Sequence, residues 1–294
     1  MVSQKRSIFN KILSVSAALC YSRAKVMRWC IRIQRHGQRS EVGMEIIIIG
    51  SGTGVPSLRR GSPATVVKAG KHTLLLDSGS GTLRRLLEAG VDFRDVDYLL
   101  YSHFHPDHTA DLVPFLFASN YGSEEVRTRG LTIMGPPGMT AFYDKLKGIY
   151  GTWIAPHGYA LSFEELSAEE VSCGDFSLRG FPLAHTDHSV GFRITGEGGH
   201  VVSYSGDTDY CANLIALARD AGVLIIECSF PDDRKVEGHL TPSLAGRVAR
   251  EAGCKKVVLT HLYPPCDGHD VVGAVKCEFA GEVVLAEDFM RVKL

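Results

Sequence analysis

The chain has 294 residues, 45% of them apolar, which is enough to bury one large core or two modest ones. No apolar stretch runs uninterrupted for the roughly 18 residues that a membrane span needs, so the sequence predicts a soluble globular protein. The net charge is −1, but residues 1–43 carry nine Lys or Arg against one Glu, which leaves 23 basic against 32 acidic residues in the remainder.

Eight cysteines are scattered along the chain without a Cys-x-x-Cys pair. This pattern is typical of reduced thiols in a cytosol, and none of the cysteines is a good candidate ligand. The cysteines therefore predict a cytoplasmic location.

The first 43 residues are expected to be an extension that precedes the globular domain. Basic side chains surround a short apolar run at 12–21, which only loosely matches a secretory signal. A basic arm for nucleic acid would explain the charge, but the segment lacks a regular pattern. We favour a third interpretation, a native start at Met44, because the first strand begins there at once. The predicted domains are a poorly ordered extension at 1–43 and a globular domain at 44–294.

The first half of this domain begins with four consecutive isoleucines, which predict a strand buried on both faces and followed by a turn-rich loop. A hairpin follows, in which His72 is expected to be a turn residue, and Asp77 comes directly after its second strand. The predicted elements are a strand at 44–50, strands at 64–68 and 73–76, and a helix at 83–89 that Gly90 ends.

Three imidazoles and a carboxylate follow the apolar run at 96–101. His103 and His105 alternate as they leave a strand, so both point to one side. Asp107 and His108 follow on the turn, where their side chains can face a second position. This strand end therefore offers ligands to two metal ions. Neutral imidazole with a hard carboxylate suits zinc, and manganese and iron also fit these ligand types.

The second half brings further polar side chains to strand ends. His185 follows a strand at 176–182, Asp207 follows one at 200–205, and His261 follows one at 256–260. His239 stands just before a helix for which Thr241 is a suitable N-cap and Pro242 a suitable first-turn residue. The other predicted elements are helices at 110–120, 138–150, 210–221 and 243–252, strands at 131–134, 190–195, 223–228 and 283–285, and a loop at 151–163.

The segment Ser102–Leu112 resembles the metal motif of the metallo-β-lactamase superfamily, and further segments in the expected order extend the resemblance from Met44 to Leu294. The fold of that superfamily is a four-layer αββα sandwich of the α/β (α+β) class, with a dinuclear metal site at one edge between its two sheets. The resemblance implies this fold here, with a hydrolase domain at 44–294.

The resemblance also implies roles for single residues. His188 competes with His185 as the third imidazole of the first metal site, and we prefer His185 because it stands closer to the strand end. Asp77 would orient the ligands from behind, or it would instead bond the backbone of its own Gly-rich turn. The implied ligands are His103, His105 and His185 for one metal, Asp107, His108 and His261 for the other, and Asp207 with a hydroxide between them.

Two cations at such a site would provide hydroxide near neutral pH and neutralise developing charge, so the site suits hydrolysis. The segments around Asp207, His239 and His261 most resemble ribonuclease Z and its shorter phosphodiesterase relatives. This resemblance implies that the bridging hydroxide attacks phosphorus, that Asp107 accepts its proton, and that His239 protonates the leaving oxygen. A structural turn histidine is the alternative for His239.

Two features depart from the ribonuclease Z proteins that process tRNA. Between Pro137 and Ser177 there is no long Gly-rich basic insertion to clamp RNA, and the segment 262–265 stands where an Arg-containing segment is usual. The acidic body also offers a large polyanion no long-range attraction. We therefore expect a phosphodiesterase acting on a smaller phosphodiester, such as a small nucleotide or RNA, with tRNA 3′-end cleavage as the weaker claim. A symmetric homodimer is common in the resembling proteins.

Two other classes of function compete with this interpretation. An acyl hydrolase on the same fold would cleave thioesters or lactams, and basic anchoring residues would replace the segment around His239. A metal-binding regulatory protein would hold metal without hydrolysing either kind of substrate.

Overall fold

The computed structural model describes residues 43–122, 126–166 and 168–294. The predicted extension at 1–43 lies outside these ranges apart from Gly43. In the described part of the chain, no helix is long and apolar enough to cross a membrane.

The described residues form two mixed sheets of seven strands each. The strands are β1 Met44–Gly50, β2 Ala64–Ala69, β3 His72–Leu76, β4 Tyr98–Leu100, β5 Leu131–Gly135, β6 Leu161–Glu165, β7 Glu170–Ser172, β8 Phe176–Pro182, β9 Val190–Gly196, β10 Val201–Tyr204, β11 Val223–Glu227, β12 Lys256–Thr260, β13 Glu282–Leu285 and β14 Arg291–Lys293. The first sheet has the order β14-β1-β2-β3-β4-β5-β6, and the second has the order β13-β12-β11-β10-β9-β8-β7.

Helices cover the outer faces of both sheets. They are α1 Thr82–Glu88, α2 Pro106–Thr109, α3 Leu112–Asn120, α4 Met139–Tyr150, α5 Ala212–Ala218, α6 Pro242–Ala252 and α7 Val271–Glu278. Apolar residues of α1, α3 and α4 pack on the first sheet, and those of α5, α6 and α7 pack on the second.

The isoleucines of β1 show how the layers form. Ile46 and Ile48 point into the core between the two sheets, whereas Ile47 and Ile49 pack beneath the helices on the outer face. All four side chains are fully buried, as the uninterrupted apolar run predicts. The four-layer αββα sandwich expected from the resemblance is confirmed.

Strand direction determines where polar loops can gather. Strands β3 to β6 run parallel in the first sheet, and β10 to β13 run parallel in the second. Strand β8 shares the direction of β10, because each pairs antiparallel with β9. Loops that follow parallel strands leave a sheet at the same edge, which is where ligands bind in folds of this kind.

Several predicted elements differ from the structure. Residues 151–163 are not all loop, because β6 begins at Leu161 and pairs with β5. Strand β7 and helix α7 were not predicted, and His72 lies within β3 against the rings of Tyr98 and Phe176. Thr241 holds the N-cap position of α6, but its side chain makes no capping hydrogen bond. The predicted helix at 110–120 corresponds to α3, which begins at Leu112, and the short helix α2 was not predicted.

Candidate functional site

The polar residues predicted to bind metal lie together at the ends of strands from both sheets. His103, His105, Asp107 and His108 follow β4 on the first sheet. The other three come from the second sheet, with His185 after β8, Asp207 after β10 and His261 after β12.

The first group contains His103, His105, His185 and Asp207, and each residue offers one ligand atom within 4.8 Å of the others. Nε2 of His103 and Nε2 of His185 each lie 3.8 Å from Oδ2 of Asp207. Nε2 of His185 also lies 3.2 Å from Nδ1 of His105. Three imidazoles and one carboxylate oxygen therefore converge on one position.

The second group contains Asp107, His108 and His261. Nε2 of His261 lies 3.6 Å from Oδ2 of Asp107, and Nε2 of His108 lies 3.8 Å from the same oxygen. Oδ1 of Asp207 faces this group, 3.4 Å from His108 and 3.3 Å from His261. The two oxygens of Asp207 thus face two different groups of ligands.

Four buried atoms in these groups have no hydrogen-bond partner, namely Nε2 of His103, Nε2 of His108, Nε2 of His261 and Oδ1 of Asp207. A buried polar atom without a partner normally costs about 1–3 kcal/mol. Three of these atoms lie together at the second group, and Nε2 of His103 lies at the first. Both groups therefore offer donor atoms for a divalent cation, and imidazole nitrogen with carboxylate oxygen suits zinc, manganese or iron.

Asp77 lies behind the candidate ligands and is completely buried. Its Oδ2 accepts hydrogen bonds from Nδ1 of His108 at 2.8 Å and from the hydroxyl of Tyr204 at 2.7 Å. The hydroxyl of Ser102 donates to the same oxygen at 2.8 Å, and the backbone N–H of Ser102 donates to Oδ1 at 2.7 Å. Asp77 therefore contacts the side chain of a candidate ligand, and its carboxylate contacts lie beyond its own turn.

Two more candidate ligands are oriented through their second ring nitrogen. Nδ1 of His185 donates to the carbonyl of Gly238 at 2.8 Å, and Nδ1 of His261 lies 2.9 Å from the hydroxyl of Ser229. Such contacts fix the tautomer and turn Nε2 toward the centre. His188 lies outside both groups, against the ring of Phe104.

Asp107 is held by Gly-rich loops that follow β1 and β3. The backbone N–H of Gly54 donates to Oδ2 of Asp107 at 2.9 Å. A Cβ at Gly79 would lie 2.1 Å from the carbonyl oxygen of Asp107, so a larger residue there would displace the segment that carries the candidate ligands. The Gly-rich turn that follows β3 therefore has a steric reason for its composition.

Strained backbone marks two of these positions. Asp77 and His261 both have a φ of 55°, in the left-handed region that residues with a Cβ seldom adopt. Strain of this kind costs of the order of 1–3 kcal/mol per residue and persists only where surrounding contacts hold it. Both residues are buried and hydrogen-bonded, which supplies those contacts.

His239 lies beside the two groups, and a buried carboxylate that the sequence analysis missed holds it. Nδ1 of His239 donates to Oε1 of Glu227 at 3.0 Å. Glu227 is completely buried and also accepts the backbone N–H groups of Thr208 and Leu240, at 2.7 and 3.0 Å, and the hydroxyl of Ser229 at 2.5 Å. The available signal was an acidic residue at the end of the apolar strand β11.

His239 could also be placed among the ligands by distance alone. With Asp207 and His261 it forms a third group of atoms within 4.8 Å of one another. Its ring lies 5.8 Å from that of His261 and nearly parallel to it, at 14°. Metal content in a variant at this position separates the two roles.

Burial and neighbouring charges determine the ionisation of the cluster. Burial lowers the pKa of His103 to about 2, and the nearby ring of His108 adds to the effect. Burial opposes the charge of His108, but Asp207 and Asp77 outweigh it and raise its pKa. Burial also opposes the charge of Asp107, yet His261 and His108 lower its pKa. The carboxylate of Asp107 is therefore anionic near neutral pH, as a cation site requires.

Comparison with known protein families matches residues 72–262 to the Beta-lactamase superfamily domain. The chain is 32% identical over 248 residues to the probable metallo-hydrolase YhfI of Bacillus subtilis (strain 168), covering 83% of this chain and 97% of that protein. It is 31% identical over 280 residues to the ribonuclease Z of Mycolicibacterium gilvum (strain PYR-GCK), covering 85% and 96%.

Among solved structures, the crystal structure of the metallo-beta-lactamase fold protein YhfI from Bacillus subtilis matches with a TM-score of 0.74 and 28% identity. The match covers 86% of this chain and all of that chain. Sequence and structure thus agree over nearly the whole of the described domain, and the predicted family is confirmed. The chain belongs to the metallo-β-lactamase superfamily, among the metal-dependent hydrolases related to ribonuclease Z.

Proposed function

We propose that the protein is a phosphodiesterase that uses two divalent metal ions, with zinc as the preferred metal. The observation that supports this proposal is the position of His239. Its ring lies beside both groups of candidate ligands and is hydrogen-bonded to the buried Glu227. An acid at this place suits a substrate whose leaving alcohol needs a proton, and an ester of phosphate with an alcohol is such a substrate.

The residues present fit the metals. His103, His105 and His185 would hold one ion, Asp107, His108 and His261 the other, and Asp207 would contribute one oxygen to each. The four unpartnered buried atoms are the support for this assignment. Bound there, the ions would lower the pKa of a water molecule and neutralise charge on the phosphoryl oxygens.

The protein's own groups would then orient the reactants and move protons. Asp107 is half-buried and held by Gly54, so it is placed to accept a proton from the attacking water. Asp77 keeps His108 in one tautomer, and Ser229 does the same for His261. His239 would donate its proton to the leaving oxygen, with Glu227 stabilising the charged form of the ring.

The net charge of residues 44–294 and the elements found between Pro137 and Ser177 favour a small phosphodiester as the substrate. Residues 44–294 are acidic overall, so a large polyanion gains no general attraction. In the described residues between Pro137 and Ser177, α4, β6 and β7 occupy most of the segment where a long RNA-clamping arm would be inserted. Cleavage of tRNA at its 3′ end is the second candidate function, and the similarity to ribonuclease Z over 85% of the chain favours it.

A panel of substrates tests the proposal directly. The full-length protein reconstituted with zinc, manganese or iron is assayed on bis(p-nitrophenyl) phosphate, a dinucleoside monophosphate, a thioester and unprocessed tRNA. We expect hydrolysis of the phosphodiesters and none of the thioester. Turnover of the thioester alone would select the acyl hydrolase, and bound metal without any turnover would select a regulatory protein.

We also propose that residues 44–294 form an independent domain. Strand β1 pairs with β2 and β14 from its first residues, and the N–H of Leu294 donates to the carbonyl of Met44 at 2.9 Å. A truncated protein that begins at Met44 is therefore expected to fold and bind metal. Its turnover number should stay within about twofold of that of the full chain, because changes outside buried and hydrogen-bonded residues usually alter the free energy of unfolding by no more than about 0.5 kcal/mol. Circular dichroism, metal analysis and the phosphodiesterase assay check this. Insoluble or inactive protein would contradict it.

The cytoplasmic location and the homodimer stay predictions. The described cysteines, six in number, are free thiols, which is consistent with a reducing compartment. Light scattering on the purified protein measures the oligomeric state.

A further inference from the structure

Two aromatic rings lie beside the site at the ends of neighbouring strands. Phe230 follows β11 by three residues, and Tyr263 follows β12 by three residues. Their rings are stacked, with centroids 4.6 Å apart and an angle of 18° between the planes. Because β11 and β12 are parallel and adjacent, the two strand ends bring the rings together at the edge that carries the ligands.

The pair borders the group that would protonate the leaving oxygen. The ring of His239 lies 5.8 Å from that of Phe230 and 6.1 Å from that of Tyr263. Tyr263 also lies edge-on to His261, with centroids 5.6 Å apart. A leaving group within reach of His239 would therefore lie next to these two rings.

Backbone contacts fix the position of the rings. The N–H of Tyr263 donates to the carbonyl of Ser229 at 3.3 Å, and the carbonyl of Tyr263 accepts the N–H of Cys266 at 2.9 Å. The N–H of Phe230 donates to the carbonyl of Leu240 at 3.5 Å. A surface that is already ordered loses little conformational freedom when a ligand binds to it.

Both rings remain partly exposed. By contrast, the core aromatics Phe115 and Phe192 are almost completely buried. A partly exposed aromatic face favours a planar partner, and stacking of a nucleobase on such a ring strengthens binding about tenfold per base.

We propose that Phe230 and Tyr263 bind a nucleobase of the leaving group, which makes nucleoside phosphodiesters the preferred substrates. This inference rests on the proposed phosphodiesterase function. It also gives a role to the segment 262–265, which departs from the Arg-containing segment of tRNA-processing enzymes.

Two substrates with leaving alcohols of similar basicity test the inference. Thymidylyl-3′,5′-thymidine can release a nucleoside, whereas the methyl ester of thymidine 3′-phosphate can release methanol. Chromatography of the products identifies the bond that breaks in each. In Tyr263→Leu we expect kcat/KM for release of the nucleoside to fall about tenfold, and that for release of methanol to change less than twofold.

Matched variants separate ring stacking from a general disturbance of the site. Tyr263→Phe keeps the ring and is expected to retain wild-type discrimination between the substrates. Tyr150→Leu makes the same change at an exposed tyrosine of α4, outside the site, and should leave both rates unchanged. Metal content is measured in each variant, because Tyr263 contacts His261.

Equal losses on the two substrates, or no loss on either, would overturn the inference. If Tyr263→Leu loses metal or fails to fold, Phe230→Leu replaces it in the test. The ratio of kcat/KM for release of the nucleoside to that for release of methanol is compared with the wild-type ratio, and an unchanged ratio in Phe230→Leu would also overturn the inference. A wild-type protein that holds metal but cleaves neither ester would overturn the phosphodiesterase function itself, and the nucleobase surface with it.

Discussion

Asp207→Ala is expected to reduce metal content from close to two ions per chain to well below one, and to abolish measurable turnover. Oδ2 of Asp207 faces His103 and His185, while Oδ1 lies 3.3 Å from Nε2 of His261. Removing the side chain therefore takes a ligand from both positions at once. Loss of a group that only orients a ligand already costs about 10- to 100-fold in affinity, so loss of a shared ligand should cost more. Elemental analysis after gel filtration measures the ions.

Asp175→Ala is the matched control, because Asp175 is bonded to Lys71 at a distant hairpin. That variant should keep both ions and full turnover. Thermal unfolding of both apo proteins shows whether the fold survives. Two retained ions in folded Asp207→Ala protein would contradict the bridging role of this carboxylate, and one retained ion would assign it to a single position.

The metal motif could be predicted because its residues are neighbours along the chain. His103 and His105 leave β4 two residues apart, so strand periodicity alone places them on one side. Asp207 and His261 could be predicted from the sequence for a different reason. Each follows an apolar strand, and parallel strands bring their ends to one edge of a sheet.

Glu227 could not be assigned in the same way. It ends the apolar strand β11, where its sequence neighbours indicate only burial. Its partners Thr208 and His239 lie 19 and 12 residues away, so its function exists only after the chain folds. The contacts of Asp77 also depend on the folded chain, since Tyr204 contacts it across 127 residues.

The missed elements are short or have weak patterns. Strand β6 has polar residues at three of its five positions, and only Leu161 and Phe163 pack against the core. Helix α7 contains Gly273 and three valines, which are poor helix formers, and it begins where Asp270 accepts the N–H of Gly273. Packing on the second sheet stabilises α7 where intrinsic propensity does not.

His239→Ala is expected to lose about 10²- to 10⁴-fold in turnover on a phosphodiester with an alkyl or ribosyl leaving alcohol, while both metal ions and the fold are retained. The leaving alkoxide is strongly basic, so its departure depends on a proton from the imidazole that Glu227 holds. On a p-nitrophenyl ester the phenolate leaves without a proton, and the same variant should lose much less. Steady-state kinetics on both esters, with metal analysis of the same samples, provide the measurement.

Glu227→Gln should also lose more turnover on the alkyl or ribosyl ester than on the p-nitrophenyl ester, but both losses should be smaller than in His239→Ala. The substitution removes the charge beside His239 and keeps the approximate shape of the side chain. His157→Ala replaces an exposed histidine on the loop after α4 and should behave as wild type.

Equal losses on both esters in His239→Ala would mean that the residue acts through substrate binding or structure. Loss of metal would place His239 among the ligands, as its distance to Asp207 and His261 permits.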